Sequence, residues 1–595
     1  MSDKKEKGIS RRQFIGAASG ALGIAAAGTY VFNQMDFNKP PINNEKPIPS
    51  NTFAIKEIES DVLVIGGGMA GLFAAVKAHD AGANVVMVSK GRLGSSGLTP
   101  FAKGIFSYDQ TTSKITIDDF VAKVTDSAIQ SNNPTFTRQL AEHSKDRVKE
   151  LQEWGFFDSP LYHESFSRPI NDRNIPVHQR IMITHLMKEN GRVVGASGFS
   201  LDKQTLIHFK AKTVVLCSGS GGFKPNGFPV CDLTHDGTIM AYKIGAKVTG
   251  KEWNDGHPGS AKNSGSSYDN WHGQIEEKPQ INSAEVRHDL GVDLNYQAYK
   301  IGPPITMGPP PMGNKSEKNQ TASVTGGPFV PSAFRQRSAP PPPAREGGIL
   351  ALFSGKKPGN GAPPGIGGEQ VGGSSAGMAI HKSEGVTPIN ETGLSTIPGL
   401  YAAGDALGSH MSGGIYTQIG SSLAGSAVQG AIAGEAAAKA SKTITSVDIS
   451  ESRLREIEKE IFAPLKRKQG YSPAWVTQVL QGIMIPNFVL YIKKERLLQA
   501  ALAYVEELKE HHVPMLIAND LHKLRLAHET ENMIITAEMK LKASIMRKES
   551  RCSHYRLDYP EVDYENWQAW INIYQDENGV MAFEKQPFGT WATAN

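Results

Sequence analysis

Short apolar runs closed by glycine alternate with stretches of helical spacing in the first half of the chain, and amphipathic helical spacing dominates its last quarter. Asp61-Val-Leu-Val-Ile65 is an unbroken apolar run that turns through Gly66-Gly67-Gly68 into the helix-like LFAAVKAHDAGA and then into Val85-Val-Met-Val88. Strand, glycine turn, helix and second strand in that order predict a βαβ unit of a parallel sheet buried on both faces. Ser450 to Leu465, Ala474 to His511 and Val513 to Lys548 place apolar residues at helical spacing with Glu and Lys between them, which predicts helices packed on the preceding domain. Between these regions, Lys251 to Gly368 is broken by Pro303-Pro304, Pro309-Pro310-Pro311, Pro340 to Pro343 and GKKPGNGAPPGIGG. Proline at that density excludes long helices and central strands, so loops and extended segments over a small core are expected there.

The N-terminus has an order of its own. Lys4, Lys5 and Lys7 precede Ser10-Arg11-Arg12-Gln13-Phe14-Ile15, and an uncharged Gly/Ala-rich stretch follows to about Phe32. This resembles a twin-arginine export signal, which implies export of a folded chain with its cofactor loaded and a periplasmic or extracytoplasmic location. Ala25-Ala26-Ala27-Gly28 offers small residues for cleavage, and an uncut leader would act as a short anchor. Asn33 to Ser50, polar and proline-rich, reads as a linker.

Composition narrows the classes. With 595 residues, 39% hydrophobic and 21% charged, the chain is an ordinary globular protein rather than a disordered or polytopic membrane one. A net charge of +4 gives no footprint for nucleic acid. Cys217, Cys231 and Cys552 cannot furnish the four thiolates of an ordinary iron–sulfur cluster, and no Cys-x-x-Cys-His is present for haem, so no metal site is expected on this chain. A metal redox centre would have to lie on a partner.

The glycine turn carries the chemistry. Gly66 permits the tight turn, Gly68 lets a diphosphate approach the backbone where Met69 and Ala70 open the helix, and Gly71 lets helix and strand pack closely. The acid that usually ends the second strand is replaced by Ser89-Lys90, which leaves FAD and NAD both open.

Distant segments recur in a fixed order: Ser89-Lys90, the turn Gly94-Ser95-Ser96-Gly97-Leu98-Thr99, Cys217-Ser218-Gly219-Ser220, Thr234-His-Asp236-Gly237, and Gly399-Leu-Tyr-Ala-Ala-Gly404-Asp405. The sequence thereby resembles the flavoprotein subunits of the fumarate reductase/succinate dehydrogenase superfamily, from about Ser60 to Pro258 and from Gly372 to Trp567. That resemblance implies an α/β protein with a Rossmann-like FAD-binding domain, an inserted α+β capping domain and a C-terminal helical domain. The corresponding organisation is a leader over 1–32, a linker over 33–55, FAD-binding parts over 56–250 and 372–445, the cap over 251–371 and the C-terminal domain over 446–595. It implies that the first glycines, Ser89, Lys90, Ser96, Thr99, Ser218, Gly219, Asp236, Gly404 and Asp405 surround FAD, and that Ser421, Ser422 and Leu423 lie against the isoalloxazine. Relatives that bind the flavin covalently use a His just before a Thr; the matching position is Leu98, so FAD is expected to be non-covalent.

The substrate residues depart from the family pattern. Glu252-Trp253-Asn254-Asp255-Gly256-His257-Pro258 matches its histidine-proline segment and makes His257 a candidate for binding or polarising substrate. Its proton-donating Arg is missing from Tyr416-Thr417-Gln418-Ile419-Gly420-Ser421-Ser422-Leu423, so ordinary fumarate/succinate interconversion is not expected. His410 and Tyr416 near the flavin, and Arg287, Arg335, Arg337 and Arg345 in the cap, are the candidates to stand in. Glu549-Ser550-Arg551-Cys552-Ser553-His554-Tyr555-Arg556-Leu557-Asp558-Tyr559-Pro560 matches a family segment except for Cys552 in place of Gly, and this tail is also similar to the adenylylsulfate reductase flavoprotein. The reading is an oxidoreductase that exchanges electrons between an iron–sulfur or cytochrome subunit and a small, anionic, unsaturated substrate. The rivals are an adenylylsulfate-reductase-like flavoprotein and a flavin-bearing electron-transfer scaffold without turnover.

Overall fold

The computed structural model describes residues 47–224, 232–254, 259–260, 277–283, 286, 370–371, 383–416, 418, 420–485, 489 and 492–594. The leader, nearly all of the cap with its four arginines, His257, Thr417 and Ile419 lie outside the described residues.

Strand β1 (Ala54–Ile65) leads through the glycine turn into helix α1 (Met69–Asp80) and strand β2 (Val85–Ser89). Short β3 (Gly104–Phe106) and β4 (Val177–Gln179) follow, then the long strands β5 (Ile181–Glu189), β6 (Arg192–Ser200) and β7 (Thr205–Leu216). Their order in the main sheet is β4-β2-β1-β7-β6-β5. The β1 neighbours are parallel, as the crossover helix requires, whereas β5, β6 and β7 form an antiparallel extension. The apolar run Val62–Ile65 pairs with Val85–Val88 on one side and Thr213–Leu216 on the other. All four of its side chains are buried, which is why the run shows no polar alternation.

Helix α2 (Asp236–Lys243) and the two-residue strand β8 (Val248–Thr249) close the first part of the domain. After the cap segment the chain returns with β9 (Gly385–Val386) and β10 (Leu400–Ala402), the latter adding to the C-terminal half of β7. Helix α3 (Ser421–Ser441) then lies on α1, and its Gly/Ala composition has a direct cause. A Cβ on Gly430 would stand 2.2 Å from the Ala70 carbonyl oxygen, and one on Gly434 would stand 2.3 Å from that of Ala74. The two helix backbones touch, and only glycine fits.

The C-terminal part is helical over Glu451–Ile461, Pro473–Met484, Glu495–Glu507 and the 26-residue helix α4 (Leu521–Met546). The helical domain expected to run to 595 ends there. Strands β11 (Ala569–Gln575) and β12 (Met581–Pro587) form a hairpin that joins β8 and β9 in a four-stranded sheet ordered β9-β8-β11-β12. The tail is thus stitched into the first domain through backbone pairing of Asn572 and Ile573 with Thr249 and Val248.

Candidate functional site

The turn between β1 and α1 is built from three glycines, Gly66, Gly67 and Gly68. Gly66 has φ +126°, donates to the Val88 carbonyl at 2.8 Å and ends the pairing of β1 with β2. Gly68 caps α1 with no side chain of its own, Thr99 Oγ1 accepts the Met69 amide at 3.2 Å, and the first turn of α1 holds no acid. The helix therefore presents the N–H groups after Met69 and the positive end of its dipole to whatever faces it. Gly71 sits against the turn: a Cβ there would lie 1.9 Å from the Gly66 carbonyl oxygen.

A cleft opens at this point. Gly66, Gly68, Met69 and Ala70 form its floor; Ser89, Lys90, Ser96 and Thr99 come from the end of β2 and the following loop; Ser218, Gly219, Asp236 and Asp405 face them. Gly71, Gly404, Ser421, Ser422 and Leu423 are not in this lining. Gly404 is packed over Ala70, and Ser421 to Leu423 form the first turn of α3, whose Ser426, one turn on, does reach the cleft. Ser422 Oγ is buried without a hydrogen-bond partner. Leu98 lines the cleft between Gly97 and Thr99, an apolar side chain with no nucleophile. Sequence reasoning missed Ile181, Ile183 and Asp232 in the lining; the two isoleucines come from β5, which carries no local sign of ligand contact.

The cleft fits a dinucleotide on two counts. A Cβ on Gly68 would meet only Thr99 Oγ1, at 3.2 Å, so the backbone there is open to a diphosphate. Ser218 Oγ is buried and unpartnered, although buried hydroxyls are almost always hydrogen-bonded. Gly66, Gly68 and the α1 amides would hold the phosphates, and Ser218 and Asp236 would meet polar groups of the cofactor. Burial alone would raise the Asp236 carboxyl, yet Lys90, Asn532 and Thr234 hold it below the ordinary range, so it faces the cleft as a carboxylate.

A second constellation lies where the described chain runs from β8 into Lys251-Glu252-Trp253-Asn254. Glu384 Oε1 takes Lys251 at 2.5 Å and His235 Nδ1 at 3.3 Å, and its Oε2 takes Lys540 at 2.7 Å. Glu252 is bound by Arg547 at 2.8 Å, and Glu549 by Arg547 and Arg551, each at 2.8 Å. Lys493 Nζ donates to the Glu252 carbonyl at 2.6 Å and to His554 Nδ1 at 2.9 Å, with no carboxylate of the described residues in reach. The His554 Nε2 bond to the Arg547 carbonyl fixes the tautomer, because only a protonated ring nitrogen donates there. Five buried basic side chains, Lys251, Lys493, Lys540, Arg547 and Arg551, thus face three buried carboxylates, and Trp253 Nε1 lies among them without a partner. Burial and the charge of Lys540 push Lys493 well below the ordinary lysine range, with Glu252 opposing. Arg551 and His554 spend their hydrogen bonds inside this network, and Arg556 binds Glu495, Asp558 and the end of α4.

His410, a candidate proton donor in the sequence, lies outside the lining of the cleft. It is buried, stacked on Trp570 at 4.7 Å, and its Nε2 pairs with Thr249 Oγ1 at 3.2 Å. Burial, helped by Arg547, pushes its pKa to about 3, so the ring is neutral at physiological pH and outside the cleft. Tyr416 is half-buried, and its hydroxyl accepts the Gly420 amide at 2.8 Å just before α3.

Comparison with known proteins agrees with this geometry. The FAD binding domain family matches residues 61–171, and the fumarate reductase flavoprotein C-terminal family matches residues 477–591. A subunit of the CoM/CoB fumarate reductase of Methanothermobacter marburgensis is 26% identical over 569 residues, covering 86% of this chain and 96% of that protein. Adenylylsulfate reductase of Archaeoglobus fulgidus shares the fold with a TM-score of 0.64 at 19% identity, over 92% of this chain and 99% of that one. E. coli quinol fumarate reductase does so with a TM-score of 0.66 at 16% identity, over 90% and 97%. With the glycine cradle, the second flavin-domain half and the C-terminal segment all in place, the chain belongs to the fumarate reductase/succinate dehydrogenase flavoprotein superfamily and is an FAD-dependent oxidoreductase.

Proposed function

We propose that the chain is the flavoprotein subunit of an exported redox complex that exchanges electrons between a metal-containing partner and a small, anionic, unsaturated substrate. When bound, FAD supplies hydride chemistry at N5 and one-electron exchange with a carrier. The observation that carries the anionic half of this reading is the buried excess of cations around Glu252 and Glu384. Uncompensated buried cations are costly, and a carboxylate or oxyanion brought against Trp253 and Lys493 would relieve that cost. The relatives named as fumarate reductases support the same class of substrate. The partner half rests on the three cysteines, too few for a cluster, and on the structural likeness to a quinol-linked fumarate reductase. Export rests on Ser10-Arg11-Arg12-Gln13-Phe14-Ile15 and the apolar stretch after it.

Proton delivery differs from the family pattern, since no arginine occurs between Tyr416 and Leu423. Tyr416, at the entry to α3, is the remaining candidate donor in that loop, and His257 the candidate for polarising substrate. The missing arginine also favours a second reading, a flavin-bearing electron-transfer scaffold. Chemically reduced holoprotein mixed with fumarate, related enoates and sulfur oxyanions separates the two. Reoxidation by an enoate supports the substrate assigned here, reoxidation by a sulfur oxyanion replaces it, and reoxidation by none leaves the scaffold. Native purification should bring down an iron–sulfur or cytochrome subunit; a metal-free complex would remove the partner.

A further inference from the structure

Lys90 lines the cofactor cleft, yet its ammonium has nothing left to offer a cofactor. An ammonium has three N–H donors, and all three are engaged: Asp236 Oδ2 at 2.6 Å, Glu529 Oε1 at 2.9 Å and Thr234 Oγ1 at 3.2 Å. Asp236, in contrast, keeps capacity. Its Oδ1 accepts Thr234 Oγ1 at 2.9 Å and Asn532 Nδ2 at 2.8 Å, and its Oδ2 accepts Lys90, so one of roughly four acceptor positions remains on the oxygen that Lys90 holds. The acid that ordinarily ends the second strand and takes a ribose hydroxyl is absent here. A carboxylate from α2 occupies the cleft in its stead.

The groups that fix Asp236 come from the other end of the chain. Glu529 and Asn532 sit three residues apart on α4 and so project from one face of it. Glu529 is fully buried and also binds Lys224 at 2.5 Å, with Arg525 at 3.7 Å. Asp232 is the remaining charged neighbour of Lys90. Three carboxylates and three cations therefore balance around one cleft-lining oxygen. We infer that Glu529 and Asn532 of the C-terminal helix are positioning residues for FAD, Glu529 acting through Lys90 and Asn532 by its own bond to Asp236 Oδ1, so that together they aim Asp236 at the cofactor and make cofactor retention depend on the C-terminal domain. This rests on the assignment of the cleft to FAD. It turns Lys90, expected from the sequence to touch the cofactor, into a strut behind the residue that does.

Release of FAD from the purified holoprotein on dilution, followed by the rise in flavin fluorescence, tests the inference. Glu529→Gln and Asn532→Leu should each release FAD roughly tenfold faster than the unaltered chain, the loss expected when one charge-assisted hydrogen bond in such a chain is broken. Glu531→Gln is the control: it removes the tie from Glu531 to Lys243 at 2.5 Å, which joins the same two helices away from the cleft. It should lower thermal stability while leaving release unchanged. Equal release from Asn532→Leu, Glu531→Gln and the unaltered chain would overturn the inference even if Glu529→Gln fails to fold. An unaltered chain that carries no FAD would instead overturn the assignment of the cleft.

Discussion

Gly66 and Cys217 meet backbone to backbone: a Cβ on Gly66 would stand 2.1 Å from the Cys217 carbonyl oxygen. Gly66 also holds φ +126°, a region that side-chain-bearing residues rarely enter. Strain and overlap act together, and the overlapping atom belongs to the residue directly after central strand β7, held in place by its own amide bond to the Ile65 carbonyl at 2.8 Å. Gly66→Ala should cost about 3 kcal/mol or more and yield colourless or insoluble protein. A soluble yellow Gly66→Ala protein with an unchanged melting temperature would contradict this account of the turn.

Leu98 lines the cleft between Gly97 and Thr99, the position at which the family resemblance would place a flavin-bonding histidine. A leucine side chain forms no bond to the flavin. Acid precipitation should therefore leave the yellow colour in the supernatant, and a denaturing gel should show no flavin fluorescence at the size of the chain. A fluorescent band would mean that another residue is flavinylated.

The parts legible in the sequence were those whose cause is local. Asp61 to Gly71 announces a strand, a turn and a helix because each residue's neighbours within a few positions dictate it, and the helical spacing over Leu521–Met546 works the same way. The β11–β12 hairpin was not legible, because its partner β8 is two residues long and Thr249 bonds to Ile571 across 322 residues of chain. The struts behind Asp236 were hidden for the same reason: Lys90 and Glu529 are 439 residues apart. His410 misled because its chain neighbours place it beside the flavin domain, while the stacking on Trp570 that decides its role comes from the far tail.

Buried histidines tie the stability of the fold to pH, His410 and His528 among them. Burial, with Arg547 adding to it, depresses His410 to about 3, and burial, aided by His185, depresses His528 to about 4, against 6.5 for the unfolded ring. Below pH 6.5 the unfolded chain takes up protons that the folded chain refuses. The stability held by these rings is thus complete above 6.5 and falls as pH drops toward 4, by up to roughly 1.4 kcal/mol per pH unit for each ring. Denaturant midpoints measured from pH 7 to pH 4 should decline, and His410→Gln should flatten the decline. A variant with the same slope as the unaltered chain would remove His410 from the acid response.

Two buried lysines of the same cluster should behave in opposite ways. Lys540 is bound to the Glu384 carboxylate at 2.7 Å and also donates to the carbonyls of Lys251 and Trp253, so Lys540→Met strips a buried anion of one of its two lysine partners and leaves two carbonyls short of a donor. Breaking a buried pair from one side costs about 3–5 kcal/mol. Lys493 has no such partner; its amine meets a carbonyl and an imidazole nitrogen, and burial with the neighbouring cations already drives it toward the neutral form. Lys493→Met gives up two hydrogen bonds but also removes a desolvated amine from a positive field, and the two effects should nearly cancel, to within about 1 kcal/mol. The same substitution removes an N–H donor offered to an anionic substrate. It should raise KM for the enoate that reoxidises the flavin while the denaturant midpoint holds. If Lys493→Met proved as damaging to the fold as Lys540→Met, Lys493 would be bonded to an anion of the chain and would not be available to a substrate.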